Sequence, residues 1–325
     1  MPNIWQKLKK PIFSLAPMYD VTDSAFRQII AKYGKPDVFF TEFVSVDGLC
    51  SDKGREKLLR ELYFTEAERP IIAQVFGTKP ENFKTVARLI RELGFDGMDI
   101  NMGCPDRAVL KQGAGASLIR NPELAKEIIA AAKEGAGDMP ISVKTRIGYN
   151  KIQIEEWTKV LLEAEPAAIT FHMRTMKDLS KVPAQWEHIK IPIELAKGTN
   201  IPIMGNGDVT DLTDAREKVK EYGIDGVMLG RAIFGRPWLF SDREMPSIPE
   251  RLIIMLEHAK LFEEMYCSGD LNDKLFASHT KNYSVMKKHF KAYCKDFPGA
   301  QELRVKLMET KNFTDVKRIV DEYLC

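Results

Sequence analysis

The chain has 325 residues, 44% of them hydrophobic and 29% charged, with a formal net charge of +2. That is globular composition with apolar mass for one large core and a smaller second one, and the total charge is too low to argue nucleic-acid binding. No window approaches the roughly 18–20 uninterrupted apolar residues of a membrane span, and the opening "MPNIWQKLKKPIF" lacks the apolar stretch of a secretory signal, so a soluble cytoplasmic protein without membrane association is expected.

Short apolar, β-branched runs recur along the chain: "IFSLAPM" (12–18), "VFFTEFV" (38–44), "PIIAQVFG" (70–77), "GMDINMG" (97–103), "ISVKTRIG" (141–148), "AAITFHMR" (167–174), "IPIMGNGD" (201–208) and "GVMLGRA" (226–232). Between them lie helical spacings. In "PENFKTVARLIREL" Phe83, Val86, Ala87, Ile90 and Leu93 fall three or four apart, and "NPELAKEIIAAAKE" is opened by Asn121 as N-cap with Pro122 at the first helical position. Eight such units in about 230 residues fit a (β/α)8 TIM barrel better than an open doubly wound sheet, and no GxGxxG follows the first strand. After "GRPWLF" the pattern becomes helical throughout, in "ERLIIMLEHAKLFEEMY", "NYSVMKKHFKAYCKDF" and "AQELRVKLMETKNFTDVKRIVDEYL". The expected organisation is therefore an α/β barrel over residues 1–245 and an all-α domain over 246–325.

Charge is distributed unevenly. From Lys274 to Arg318 eleven basic residues (Lys274, Lys281, Lys287, Lys288, Lys291, Lys295, Arg304, Lys306, Lys311, Lys317, Arg318) face four acidic ones, which reads either as a basic binding surface or as a solvated helical face. Cys50, Cys104, Cys267, Cys294 and Cys325 are odd in number, scattered and never in a CxxC pair, so neither a disulfide framework nor a zinc site is expected. His188, His258, His279 and His289 lack metal-ligand spacing, and every cysteine but Cys104 reads as incidental.

A barrel of this type builds its active site at the carboxyl ends of its strands. Gln74 falls near such an end, as do Asn101 and Cys104, Lys144 and Arg146, His172 and Arg174, and Asn206 and Asp208. Residues two apart share a strand face, so Lys144 with Arg146 and His172 with Arg174 converge if those faces look into the mouth. A lysine within "ISVKTRIG" calls for an anionic or polar ligand, or else a carboxylate from a neighbouring strand such as Asp99. "GNGD" and "LGRAIFG" place glycines, and Arg231, after the last two strands, the usual phosphate site of this barrel.

With "APMYDVTDSAFR", "AQVFG", "DINMGCP", "VKTRIGY", "FHMR", "GNGDV" and "LGRAIFGRPWLF" in this order, the sequence resembles the tRNA-dihydrouridine synthases over nearly its whole length, and "KKHFKAYCKDFPGAQELRVKLMETKN" is similar to the family's helical tRNA-binding domain. The resemblance implies FMN-dependent reduction of selected tRNA uridines, with NADPH or NADH as reductant and a monomeric enzyme. Pro17, Met18 and Tyr19 would line the flavin ring, Gln74 and Lys144 would bond its polar edge, and His172 would lie beside it. Asn206, Gly207, Asp208, Gly230 and Arg231 would hold the ribityl chain and phosphate. Cys104 matches the proton donor, Asn101 would orient the base, and Arg146, Arg174, Arg107, Lys287, Lys288 and Arg304 complete the implied substrate contacts.

Hydride passed to uracil carbon 6 leaves charge that a proton at carbon 5 must quench. A thiol of pKa about 8.5 can give that proton if Lys144 and Arg146 are engaged elsewhere. The base must leave its stack to reach a barrel mouth. Departures from the common pattern are Tyr19 and Asp20 after Pro-Met, Asp106 and Ala108 beside Arg107, and the lack of a Gly in "MKDLSKVPAQW". A barrel reductase of a small molecule, of dihydroorotate or ene type, would share the lysine and phosphate loops without needing a basic tail, and a non-catalytic tRNA binder would not need Cys104, Lys144 and His172 together.

Overall fold

The computed structural model describes residues 3–267 and 281–325. Lys274 of the basic run and His279 lie outside the described residues.

All eight apolar runs take part in one parallel sheet: β1 (Ile12–Leu15), β2 (Phe39–Phe40), β3 (Val44–Ser45), β4 (Ile71–Phe76), β5 (Gly97–Met102), β6 (Ile141–Arg146), β7 (Ile169–His172), β8 (Ile203–Asn206) and β9 (Gly226–Leu229). Neighbours run in the order β1-β9-β8-β7-β6-β5-β4-β2, and β1 meets the start of β2 through the Ser14–Val38 bridge, with Leu15 N donating to Val38 O at 3.2 Å. The sheet thus closes into the expected barrel. The second run is divided into β2 and β3, both paired with β4. Between them the Thr41 hydroxyl takes a place in the ladder, accepting from Gln74 N at 3.1 Å and donating to Glu42 O at 2.9 Å.

Local chemistry sets the helix starts. Asn121 caps Pro122–Ala136 by accepting from Leu124 N, and Pro80 opens Pro80–Glu92, whose Phe83, Val86, Ala87 and Ile90 are fully buried. Leu93 stands just past that helix and is only half-buried. The C-terminal segment is helical at Ile248–Tyr266, Met286–Tyr293, Ala300–Met308 and Phe313–Leu324. Ser247 and Glu250 form a capping box at the first of these, and Asn312 separates the last two by capping the final helix.

These helices bury a second core of Leu252, Met255, Phe262, Met286, Phe290, Leu307, Val316 and Val320, which also takes in Ala25, Ile29 and Trp238 from the barrel side. Phe26 stacks on His258 with ring centroids 4.8 Å apart and meets His289 edge-on at 4.7 Å. Burial pushes both imidazoles well below their ordinary pKa, to about 3 for His289, so they pack here as neutral rings.

Part of the basic run is not a surface. Lys281 is buried, ion-paired with Glu42 and, at 2.9 Å, with Glu61, because an ammonium withdrawn from water needs carboxylate partners. Lys295, Lys317 and Arg318 pair with Asp296, Asp321 and Glu322. Among the described residues Lys287, Lys288, Lys291 and Arg304 have no carboxylate within 4 Å. Also among the described residues, no helix is long and apolar enough to cross a membrane and no group of three or more potential ligands could hold a metal.

Gly235 is where the loop after β9 touches the helical segment. Its φ is +68°, and a Cβ there would lie 2.3 Å from Ala292 O, inside backbone that cannot yield. Gly235→Ala is expected to lower stability by about 2–4 kcal/mol, read from the denaturant midpoint. A change below about 0.5 kcal/mol would show that this packing is not tight.

Candidate functional site

At the carboxyl ends of the strands the barrel opens into a cavity of about 320 Å³. Of the residues expected there, Pro17, Met18, Lys144, Arg146, His172, Arg174, Asn206, Gly207, Asp208, Gly230 and Arg231 line it, together with Pro105. A larger cavity, about 510 Å³, lies at the opposite end beside Trp5, Lys10, Asn200 and Asp225. Size does not choose between them. Only the first brings titratable groups from four successive strands together, and it lies at the end where such barrels do their chemistry.

The wall of the site is cationic. Lys144 Nζ donates to Asn206 Oδ1 at 3.3 Å and has no carboxylate partner among the described residues; Asp99 acts on it only from a distance. Burial, then the neighbouring Arg146, pulls its pKa down to about 8. Arg146 is buried and directed at backbone carbonyls: Nε donates to Gly103 O at 2.7 Å, and Nη1 to Thr175 O at 3.0 Å and Leu179 O at 3.4 Å. Arg174 donates to Val182 O at 2.6 Å and to Nε2 of His172 at 3.3 Å, and ion-pairs with Asp208. Since a guanidinium only donates, His172 must offer an unprotonated Nε2, in accord with a pKa held well below normal by burial and the surrounding cations.

Asp208, expected among the ligand contacts, is engaged by the chain itself. Oδ2 accepts from Arg174 and from Ala184 N at 2.9 Å, and Oδ1 accepts from Arg231 at 2.8 Å. It orients two arginines, and the guanidinium of Arg231, 66% exposed, keeps donors free. Gly207 is required where it stands. Its φ is +133° and a Cβ would come within 2.9 Å of Ala184 Cβ, while its carbonyl accepts from Trp186 Nε1 at 2.9 Å. Trp186 also packs where Gly205 leaves room, a bracing role that no local sequence signal announces.

Cys104 is half-buried on a tightly held turn and does not itself line the cavity, which the next residue, Pro105, reaches. Asn101 Oδ1 accepts from Gly103 N at 3.1 Å and Cys104 N at 2.8 Å, and Cys104 O accepts from Ala116 N at 3.1 Å. Gly115, at φ +60°, lies so close that a Cβ would meet Cys104 O at 2.8 Å. Burial pushes the thiol up in pKa and outweighs the opposing pull of the Asp106 backbone N–H; the Asp106 carboxylate adds to the rise, and Arg146 and Lys144, both otherwise engaged, pull weakly against it. The thiol stays protonated at neutral pH. Asp106 itself caps the helix Arg107–Lys111, accepting from Ala108 N at 2.8 Å, a role legible as an acidic residue just before a helical run.

Other expected residues stand outside the cavity. Gln74 is fully buried, with Nε2 donating to Asp99 at 2.7 Å and Oε1 accepting from Asn101 at 2.9 Å, so its amide is satisfied within the chain. Asn101 is likewise engaged at both ends of its amide. Tyr19 is exposed, its ring 5.9 Å from Phe43 and 6.0 Å from the Lys281 ammonium. Arg107 is exposed beyond Cys104, and Lys287, Lys288 and Arg304 lie half-buried on the helical segment.

A family model described as Dihydrouridine synthase (Dus) matches residues 14–324. A Bacillus subtilis (strain 168) protein named "Probable tRNA-dihydrouridine synthase 2" is 39% identical over 326 residues, covering 99% of this chain and 96% of that one. A Staphylococcus aureus (strain COL) protein named "Probable tRNA-dihydrouridine synthase" is 38% identical over 327 residues, covering 99% and 95%. Among solved structures, morphinone reductase superposes with a TM-score of 0.53 at 12% identity over 72% of this chain and 86% of its own. Histamine dehydrogenase from Rhizobium sp. 4-9 gives 0.53 at 16% identity over 85% and 50%. At those identities the two structures share the fold.

One lysine in the folded protein is expected to titrate near pH 8, charged below and neutral above. NMR of 13Cε-labelled lysine should show that resonance absent in Lys144→Arg; persistence of the low midpoint in the variant would assign it elsewhere.

Proposed function

The chain belongs to the dihydrouridine synthase family, and on that premise we propose that it reduces selected uridines of tRNA to 5,6-dihydrouridine at the mouth of its barrel, with FMN as cofactor and Cys104 as the proton donor. The observation that carries the reading is a thiol kept neutral on a braced turn, next in the chain to Pro105, which lines a cavity walled by cations.

The residues present suit FMN. A Cβ at Gly230 would meet nothing nearer than Ala16 Cβ at 3.6 Å and Met18 Sδ at 4.0 Å, so the glycine leaves open room beside Arg231, whose free donors fit a phosphate. Pro17 and Met18 offer an apolar surface for a ring, with Tyr19 at its outer edge. Lys144 presents a charge without a carboxylate partner among the described residues to a polar edge, His172 stands alongside, and Asn206 and Gly207 flank the path to Arg231. Asp208 serves by aiming Arg174 and Arg231, and Gln74 acts from beneath through Asn101.

FMN, when bound, supplies the hydride for uracil carbon 6, with NADPH or NADH as its reductant. Cys104 then donates its Sγ proton to carbon 5, where negative charge develops, and its raised pKa keeps that proton available at neutral pH. Arg146 fixes the turn through Gly103 O and so holds the thiol in place. Arg146 and Arg174 keep the 175–182 loop against the mouth, and with Arg107 they frame the entry for a flipped-out base, while Asn101 acts on the base only through the Cys104 turn that it holds. Lys287, Lys288 and Arg304 lie without carboxylate partners among the described residues on the 246–325 helical domain, which we assign to the tRNA backbone, while residues 1–245 carry the cofactor. The enzyme acts as a monomer in the cytoplasm in this reading.

Cys104→Ala should lose about 10²–10⁴-fold in dihydrouridine formation while FMN binding, followed by flavin absorbance, stays within about twofold. Activity within about tenfold of the parent would remove the thiol as the acid. Lys287→Glu with Lys288→Glu should weaken tRNA binding and flatten the dependence of log affinity on log salt by ~0.7–0.9 for each phosphate no longer neutralised. An unchanged slope would place the tRNA on another face.

A further inference from the structure

Beneath the mouth lies a buried carboxylate that the proposed chemistry does not use. Asp99 is 1% exposed, and both of its oxygens are occupied: Ser142 Oγ donates to Oδ1 and Gln74 Nε2 to Oδ2, each at 2.7 Å. Strand register puts Gln74, Asp99 and Ser142 at one level across β4, β5 and β6, with Asn101 one level nearer the mouth on the same face. From there a single chain of hydrogen bonds leads outward. Asn101 Nδ2 donates to Gln74 Oε1 at 2.9 Å, and Cys104 N donates to Asn101 Oδ1 at 2.8 Å.

Each link of that chain has a direction. A carboxylate can only accept, so Gln74 must turn its NH2 toward Asp99 and its oxygen toward Asn101. Asn101 must then meet that oxygen with its own NH2, which leaves its oxygen facing the backbone N–H groups of Gly103 and Cys104. Reversing either amide would set N–H against N–H in a buried site, at roughly 1–3 kcal/mol for each donor left unsatisfied. Resting on the assignment of Cys104 as the acid, we propose that Asp99 is a positioning residue for it, holding the Gln74 and Asn101 amides in the one orientation that accepts the Cys104 turn.

The polarity argument makes an exchange test possible. Asp99→Asn keeps the shape but can present either an NH2 or an oxygen to Gln74, so the direction of the chain is lost. Adding Gln74→Glu restores it, because a carboxylate at position 74 accepts from position 99 on one side and from Asn101 on the other. Iodoacetamide labelling of Cys104, followed by mass spectrometry of its peptide in protein free of flavin and RNA, reads the turn directly. Asp99→Asn should change that rate by about threefold or more and lower kcat by about tenfold or more. Gln74→Glu in the same chain should bring both back to within about threefold of the parent.

A purely structural role would make the double variant as poor as the single or poorer, and that result would overturn the proposal. So would a labelling rate left unchanged by Asp99→Asn. If the exchange variant does not fold, the pair Asp99→Asn and Asn101→Ala decides. Their effects on labelling should not add, since the second removes the link through which the first acts, and additive effects would overturn the proposal. Labelling is measured without turnover, so it stands even if Cys104→Ala were to keep activity and remove the thiol as the acid.

Discussion

Positive charge crowded into the barrel mouth is the constraint to which the rest of the site answers. Lys144, Arg146, Arg174 and Arg231 surround His172, and among the described residues Asp208 is the carboxylate that ion-pairs with them. A buried guanidinium needs all its donors met, so Arg146, which has no carboxylate partner among the described residues, takes the backbone carbonyls of Gly103, Thr175 and Leu179, and Arg174 adds Val182 O to its pair with Asp208. Those bonds place the loops that shape the mouth. Burial, then the charge left over, depresses Lys144 and His172, and that charge asks for an anionic ligand, which is why the same residues that organise the loops also suit a phosphate and a polar ring edge.

The thiol is treated differently although it stands nearby. Its turn is held by backbone and amide bonds, and the nearest cations are turned to other acceptors. Burial then decides its protonation. A cysteine beside free cations would lean toward thiolate, whereas here it keeps its proton. The helical segment packs against the barrel beside the Ser24–Tyr33 helix and the loop after β9. It shares a core with the Ser24–Tyr33 helix, buries two neutral imidazoles against Phe26 and packs backbone to backbone at Gly235, so its orientation on the barrel is set by packing. Lys281 adds a buried ion cluster with Glu42 and Glu61 close to Tyr19.

Much of this was legible from spacing. The eight apolar runs were readable as barrel staves because their shortness and β-branched content mark buried parallel strands, while three- and four-residue spacing marks the helices between them. The division of the second run turned on a Thr41 hydroxyl entering the ladder, which no propensity reveals. Lys281 counted as surface charge in the sequence and is buried in the fold, since which carboxylates meet a lysine depends on chain segments more than two hundred residues apart. Gln74 and Asn101 were recognisable as polar residues at strand ends, but their bonding to Asp99 and to the Cys104 turn follows from register between strands.

By itself, the sequence determined the strand and helix rhythm, the carboxyl-end position of the polar residues, the glycines after the last two strands and the family, because each depends on residue type and short-range spacing. Tertiary structure decided which polar groups face the cavity and which brace it: Asp208 aims arginines, Asp106 caps a helix, Trp186 holds Gly207 and Asp99 anchors an amide chain. The physical reason is that a buried polar atom takes its role from the partner that satisfies it, and that partner comes from whichever strand the barrel brings alongside.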